Sequence, residues 1–343
     1  MCPATPPKLM DRVRAAIRTR HYSPRTEEAY AYWIRRFIVF QGRVHPSTIG
    51  APEIGAFLTW LAIEQHVSAS TQNQALSALL FLYRDVLHVE IGEIDRVLRA
   101  QAPQRLPVVL TRDEVARVLK HLTGVRWIIG MLLYGAGLRL GESVELRVKD
   151  IDFDRRELMV RRGKRQKDRR TMLPLAVGDR LRAHLETVKR QHTCDLAVGL
   201  GRVVLPFALD RKYPNASTEW GWQFVFPAAR ICRNPRWGPP SRYHLHESAV
   251  QKAVAAAVRR AGLTKPAGPH TFRHSFATHL LEDGYDTVAA VDVLVSWNFR
   301  HIVRLDRIRL FNEVNTALGR GALAIYSPRE VTSYGRNEAD SGS

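Results

Sequence analysis

In the segment Gly268-Pro-His-Thr-Phe-Arg-His-Ser-Phe-Ala-Thr-His-Leu-Leu281, His270 and Arg273 stand three residues apart. On a helix beginning near Thr271 the two share a side, while His274 lies about 100° round and Phe272, Phe276 and Leu280 form a core stripe. An imidazole beside a guanidinium near a helix start suits an anion. Arginine offers a fixed fork of donors to phosphate oxygens, and histidine gives or takes a proton near neutral pH. A purely structural helix accommodates the same residues equally well. A metal site is disfavoured, because no HExxH spacing is present.

Two other segments carry cations. Arg139 sits among Gly135, Gly137 and Gly141, a set that matches neither a GxGxxG turn after a strand nor a GxxxxGK[ST] loop. A salt bridge to Glu142 is the plain reading of Arg139 taken alone. Residues 155 to 170 hold nine Arg or Lys, namely Arg155, Arg156, Arg161, Arg162, Lys164, Arg165, Lys167, Arg169 and Arg170, against Glu157 and Asp168. So dense a run is costly to assemble unless an anion answers it, which favours nucleic acid over a merely solvated turn.

The whole chain agrees. Its 343 residues carry 52 Lys plus Arg and 33 Asp plus Glu, a net charge of +19, and residues 1 to 100 account for only +3 of it. A polyanion is the expected partner, held mainly by the later part of the chain. Cys2, Cys194 and Cys232 are too few and too scattered for a disulfide framework or a cysteine zinc cluster. The N-terminus has no long apolar core, and no later run reaches the length needed to span a bilayer, so with these cysteines the expected setting is a reducing cytosol or nucleoid rather than a membrane or a secreted protein.

The elements that position these residues are mostly helices. Ser23-Pro24 reads as a cap opening a helix whose Tyr30, Trp33, Ile34, Phe37 and Ile38 recur at helical spacing up to Gly42. Helices follow at 52 to 65 and 70 to 88, making a small bundle over 8–98, on which Arg35, Arg36 and Arg43 are possible phosphate contacts. The polar, proline-bearing stretch 99–107 reads as a linker, and Thr111-Arg-Asp-Glu114 opens a second domain over 108–325. Helical patterns cover 112 to 134, 140 to 147, 176 to 192, 244 to 262 and 270 to 283. The runs Leu158-Met-Val160 and Met172-Leu-Pro-Leu175 frame the charged segment as a β-hairpin. A Pro-, Gly- and Trp-rich insertion lies near 205–240, with Trp220, Trp222, Phe224 and Phe226 alternating as in an extended strand, and 326–343 is a polar tail.

With Arg139 in GAGLRLGE, Lys164 in RRGKRQKDRRTMLPL, and His270 and Arg273 in HTFRHSFATHLL, the sequence resembles the tyrosine recombinase family of phage-type integrases. Within that family LPFALDRKYPNASTEWGWQFVFP and the opening SPRTEEAYAYWIRRFI resemble integron integrases, and the likeness runs from about residue 8 to 286. The resemblance implies a mainly α fold with a small β-hairpin or sheet, arranged as a two-domain C-shaped DNA clamp. It further implies capture and excision of integron gene cassettes by DNA breakage and rejoining. The protein would be a monomer in solution and a tetrameric synapse on DNA. Its partners would be double-stranded recombination sites and folded single-stranded cassette sites. A tyrosine would attack the scissile phosphate and store its energy in a 3′-phosphotyrosyl bond, so that no metal or other cofactor is called for. Arg139 and Arg273 would hold the nonbridging oxygens, Lys164 would protonate the departing 5′ oxygen, and His270 would manage the nucleophile's proton or help bind phosphate. Arg161, Arg162, Arg165 and Lys167 would contact DNA. The resemblance implies that residues around the insertion hold flipped-out bases, with Trp220 and Trp222 the foremost candidates and Trp237 and His244 as others, against an equally open role as a core face.

The pattern breaks after residue 286. The family's second histidine, or tryptophan, falls here on Ser296, and its nucleophilic tyrosine on Leu305. The remaining downstream phenols are Tyr326 and Tyr334; Tyr326, in the apolar Ala-Ile-Tyr-Ser-Pro segment, is preferred to Tyr334, and the reading that neither is a properly placed nucleophile stands ahead of both. The alternative is a DNA-binding derivative that keeps the clamp without a correctly placed nucleophile. A shifted reading frame beginning near Asp286 would explain the abrupt end of the match.

Overall fold

The computed structural model describes residues 7–89, 100, 106–161, 168–206, 209–233 and 240–283. They form a mainly helical fold with one small antiparallel sheet, in two compact units, Met1–Leu106 and Pro107–Ser343. Lys164, Arg162, Arg165, Lys167, Trp237, Ser296, Leu305, Tyr326 and Tyr334 lie outside the described residues, as does the polar tail.

Among the described residues the first unit is a bundle of four α-helices, Leu9–Thr19, Pro24–Phe40, Ala51–Ile63 and Ala69–Phe81. Ser23 caps the second by accepting from the Thr26 amide at 3.1 Å, and Pro24 opens it, where a missing N–H costs nothing. Its Trp33, Ile34 and Phe37 meet Phe57, Leu58 and Leu61 of the third helix and Leu76 and Leu79 of the fourth. Burial of each such side chain is worth about 1.5–3 kcal/mol. The Phe37 and Phe57 rings cross edge-on with centroids 5.3 Å apart. The expected 70 to 88 helix instead ends at Phe81, and a wider i→i+5 turn over Leu82–Leu87 stops where His88 turns left-handed at φ 56°. The Leu9–Thr19 helix was not expected; its buried stripe is only Val13 and Ile17 among charged residues.

The second unit opens with the capping box at Thr111, whose hydroxyl accepts from the Glu114 amide at 3.2 Å while Glu114 accepts from the Thr111 amide at 2.8 Å. The helical pattern over 112 to 134 is two helices, Arg112–Lys120 and Gly124–Gly135, because Gly124, where the second begins, takes a left-handed φ of 53°. The short helix Leu140–Val144 follows. Strands β1 (Ile151–Asp152), β2 (Glu157–Val160) and β3 (Arg169–Met172) then pair in order, so the expected hairpin gains a third strand and its return strand ends before Leu173. Helices Gly178–Ala197, Glu247–Arg260 and Pro269–Glu282 pack around a core that includes Leu132, Leu133, Leu158, Val160, Val254 and Phe272.

The aromatic insertion departs from the expected extended strand. Trp220–Trp222 is a tight helical turn, closed by the Gln223 amide donating to the Trp220 carbonyl at 3.0 Å, with the Gln223 side chain bonding the carbonyls of Ser217 and Glu219. Phe224 and Phe226 are both buried, yet Phe224 packs in a small separate cluster with Val203 and Leu205, and Phe226 joins the main core. Arg242 anchors the insertion to the Gly178–Ala197 helix through two bonds of 2.6 and 2.8 Å to Asp195.

Candidate functional site

The site is built around Glu142. Its carboxylate occupies the third position of the Leu140–Val144 helix and reaches back to Arg139, accepting from the backbone amide at 2.8 Å and from the guanidinium at 2.7 Å. Arg169 donates to both oxygens, at 2.9 and 2.7 Å. Arg273, buried in the second turn of the Pro269–Glu282 helix, stands 3.9 Å from the same carboxylate and donates to the Gly137 carbonyl. Gly137 can present that carbonyl because it holds φ at 60°, a conformation a side chain disfavours.

Strand geometry explains Arg169. In β3 it pairs with Val160, and Thr171 pairs with Leu158, so Arg169 and Thr171 share the face of two buried apolar residues while Arg170 and Met172 point to solvent. Thr171 uses the same face to donate to the Ala136 carbonyl at 2.9 Å. The glycine-rich turn at 135–141 is thus held from the sheet on one side and from Arg273 on the other.

Three guanidiniums on one carboxylate leave a surplus of positive charge in a largely buried site. Burial pushes Glu142 up, but the hydrogen bonds from Arg169 and Arg139 outweigh it and hold the carboxyl at about 2. Burial, reinforced by the charges of Arg139 and Arg169 and opposed by Glu142, lowers Arg273 to about 10, so it remains a cation at neutral pH. Arg139 keeps 22% of its side chain exposed against 5% for Arg273, so Arg139 forms the accessible lip and Arg273 the floor. His270 lies exposed in the first turn of its helix, one turn before Arg273. His274 is driven down to about 4, first by burial and then by His270 and Arg273, so it is neutral at pH 7. The arrangement can receive an oxyanion: donors are already oriented and need little rearrangement when charge develops.

The structure therefore brings Arg139 and Arg273 together on one carboxylate, with His270 in the same helix as Arg273. Arg161 turns instead to the buried Asp150, at 2.6 Å. Trp220 is half-buried against the main core, 6.0 Å from the His192 ring. Trp222 lies under the Lys149 ammonium, 2.6 Å from the ring centroid, and its carbonyl accepts from Arg147 at 2.6 Å. Burial, together with Arg161 and Arg147, brings Lys149 down to about 8. His244 faces Phe224 edge-on at 5.3 Å. Sequence reasoning gave no role to Arg169 beyond the basic run and read Glu142 only as a partner of Arg139; the alternation of β3 was the available signal for Arg169. Among the described residues no three His, Cys, Asp or Glu side chains cluster to hold a metal ion, and no helix is long and apolar enough to cross a membrane.

Residues 9–93 match the phage integrase N-terminal SAM-like domain, and residues 108–303 match the phage integrase family. The chain belongs to the phage integrase family. That makes it a tyrosine recombinase, and the reaction class of those proteins is DNA strand exchange. Integrase/recombinase proteins of Escherichia coli and Pseudomonas aeruginosa are each 47% identical to it over 287 residues, covering 84% of this chain and 85% of theirs. Tyrosine recombinase XerA of Thermococcus kodakarensis is 30% identical, with 79% of this chain and 80% of that protein covered. The fold is that of the Tn1549 transposon integrase solved with transposon right-end DNA, which has a TM-score of 0.58 at 16% identity and covers 90% of this chain and 100% of that one.

Proposed function

We propose that this protein is a site-specific recombinase of integron gene cassettes, breaking and rejoining DNA through a 3′-phosphotyrosyl intermediate. The observation that carries the reading is the convergence of Arg139 and Arg273 on the Glu142 carboxylate, which pre-positions two cations for one phosphate. In the proposed step a tyrosine oxygen bonds to phosphorus and the bond from phosphorus to the 5′ oxygen breaks. His270 takes the phenolic proton, Lys164 supplies one to the 5′ oxygen, and reversal of the step rejoins the strand. Arg139 and Arg273 neutralise the nonbridging oxygens where charge develops. Solved relatives bound to DNA, such as the lambda integrase dimer on its core site, support a multimeric assembly on DNA. The integron assignment rests on the insertion near 205–240, where Trp222 would hold an unpaired base while Trp220 packs against the main core.

Tyr326 is the nucleophile that this reading requires. The second reading, a clamp without covalent chemistry, is favoured by Ser296 and Leu305 at the two late family positions. Full-length protein incubated with a nicked suicide substrate decides between them. A denaturation-resistant adduct lost in Tyr326→Phe and in Arg273→Ala supports the recombinase. Binding without adduct supports the clamp, and loss in Tyr334→Phe alone moves the nucleophile there.

A further inference from the structure

A second basic feature stands apart from the arginine cluster. Between the turn after Lys120 and the Glu247–Arg260 helix lies an open cleft of about 540 Å³, rimmed by His121, Arg126, Lys252 and Arg260 over a floor that includes Ala253 and Ala256. The four rim side chains belong to exposed residues, and they make no ion pair with any described residue.

Several other cations of this unit have an acid beside them. Arg112 pairs with Asp283, Arg139 and Arg169 with Glu142, Arg161 with Asp150, Arg242 with Asp195 and Lys265 with Glu114. Cations gathered without counter-charge repel one another, so the rim awaits an anion. Its geometry indicates an extended one. Lys252 and Arg260 stand eight residues apart on one helix, about 12 Å along the axis at 1.5 Å per residue. A duplex strand carries one phosphate per about 3.4 Å of axis, so the rim can follow more than one.

The cleft also starts beside the site already described. Its Ser248 end adjoins Glu247, whose carboxylate lies 3.2 Å from where a Cβ on Gly141 would stand, two residues from Arg139. We propose that His121, Arg126, Lys252 and Arg260 form a phosphate track that carries the DNA backbone away from the arginine cluster. The track rests on the recombinase reading for the identity of the polyanion and adds a binding surface to it. It is sequence-blind: cations on an alanine floor grip backbone without reading base edges.

The test is the salt dependence of duplex binding by full-length protein, parent against Arg126→Gln/Lys252→Gln/Arg260→Gln. Each lost phosphate contact lowers the slope of log K against log salt by about 0.9, so the triple variant should lose about 2 to 3 from the slope. The loss should be equal on site and non-site DNA. Arg126→Lys/Arg260→Lys, which keeps the charges, should hold the parent slope and guards against a fold effect. An unchanged slope in the triple variant overturns the track. If self-association seen by sedimentation is lost at the same time, the cleft belongs to an acidic protein segment instead. A parent with no salt-dependent DNA binding defeats both track and recombinase. The nicked-substrate adduct can fail while the salt slope still responds, which separates the two proposals.

Discussion

Arg169 and Glu142, 27 residues apart in sequence, meet through two parallel hydrogen bonds of 2.9 and 2.7 Å, and this pairing ties β3 to the turn that carries Arg139. A planar fork on a nearly buried carboxylate cannot be copied by a point charge. Arg169→Lys should therefore lower unfolding free energy by about 1–2 kcal/mol, and Arg169→Ala by about 3 kcal/mol, since it strands part of the Glu142 charge. Urea denaturation measures both. A lysine variant as stable as the parent would contradict the bidentate role.

Glu142 sets an acid limit. Its folded carboxyl is held at about 2, below its unfolded value, so its stabilising contribution is full above the unfolded pKa and disappears as pH falls through about 2. Stability of the parent should therefore decline between about pH 4.5 and pH 2. Glu142→Gln should be less stable at pH 7 by about 3 kcal/mol, with a shallower decline in that window. Denaturation midpoints across that range test the sign, and parallel curves for the two proteins would refute it.

Gly137 offers a cleaner probe of Arg273. Alanine at its φ of 60° costs about 1–2 kcal/mol and shifts the carbonyl that Arg273 holds. Gly124 has a similar φ of 53° with nothing near its missing Cβ, so Gly124→Ala imposes the backbone cost alone. Both variants should lose similar stability in denaturation, but only Gly137→Ala should slow adduct formation on the nicked substrate. Equal rates in the two would remove the carbonyl from the positioning of Arg273.

Much of this was legible in the chain. Local signals with a fixed offset survived intact: the Ser23-Pro24 opening, the Thr111 to Glu114 capping box and the three-residue spacing of His270 and Arg273 each act within one turn. What failed was of two kinds. Where periodicity was thin, as in Leu9–Thr19 with its two buried residues, or ran on across a break, as at Gly124, pattern alone could not set the ends. Contacts of long range were invisible: nothing local to Arg169 names Glu142. The Trp220–Trp222 turn belongs with these, because the Gln223 side chain closes it against two earlier carbonyls while the aromatic alternation mimics a strand.

The two insertion tryptophans should separate by substrate. Trp220 packs on the main core, so Trp220→Ala should lower the melting temperature and weaken hairpin and duplex DNA alike. Trp222 stands under Lys149 at 2.6 Å, so a stacking base must take the ring's other face or displace the ammonium. An unpaired base stacked on it is worth about 1–3 kcal/mol, so Trp222→Ala should weaken binding to a hairpin with extrahelical bases about 5- to 150-fold more than to the matched duplex. The Lys149 charge gives a second handle. It is held near 8, so raising pH from 7 to 9 removes the proton and with it the cation–π contact. If the base competes for that face, the ratio of hairpin to duplex affinity should rise over this interval in the parent and stay level in Lys149→Met. Taking a ratio cancels the general loss of phosphate attraction that accompanies any lost cation. A Trp222→Ala variant that loses the two substrates equally, with a lower melting temperature, would make Trp222 a core residue of the insertion.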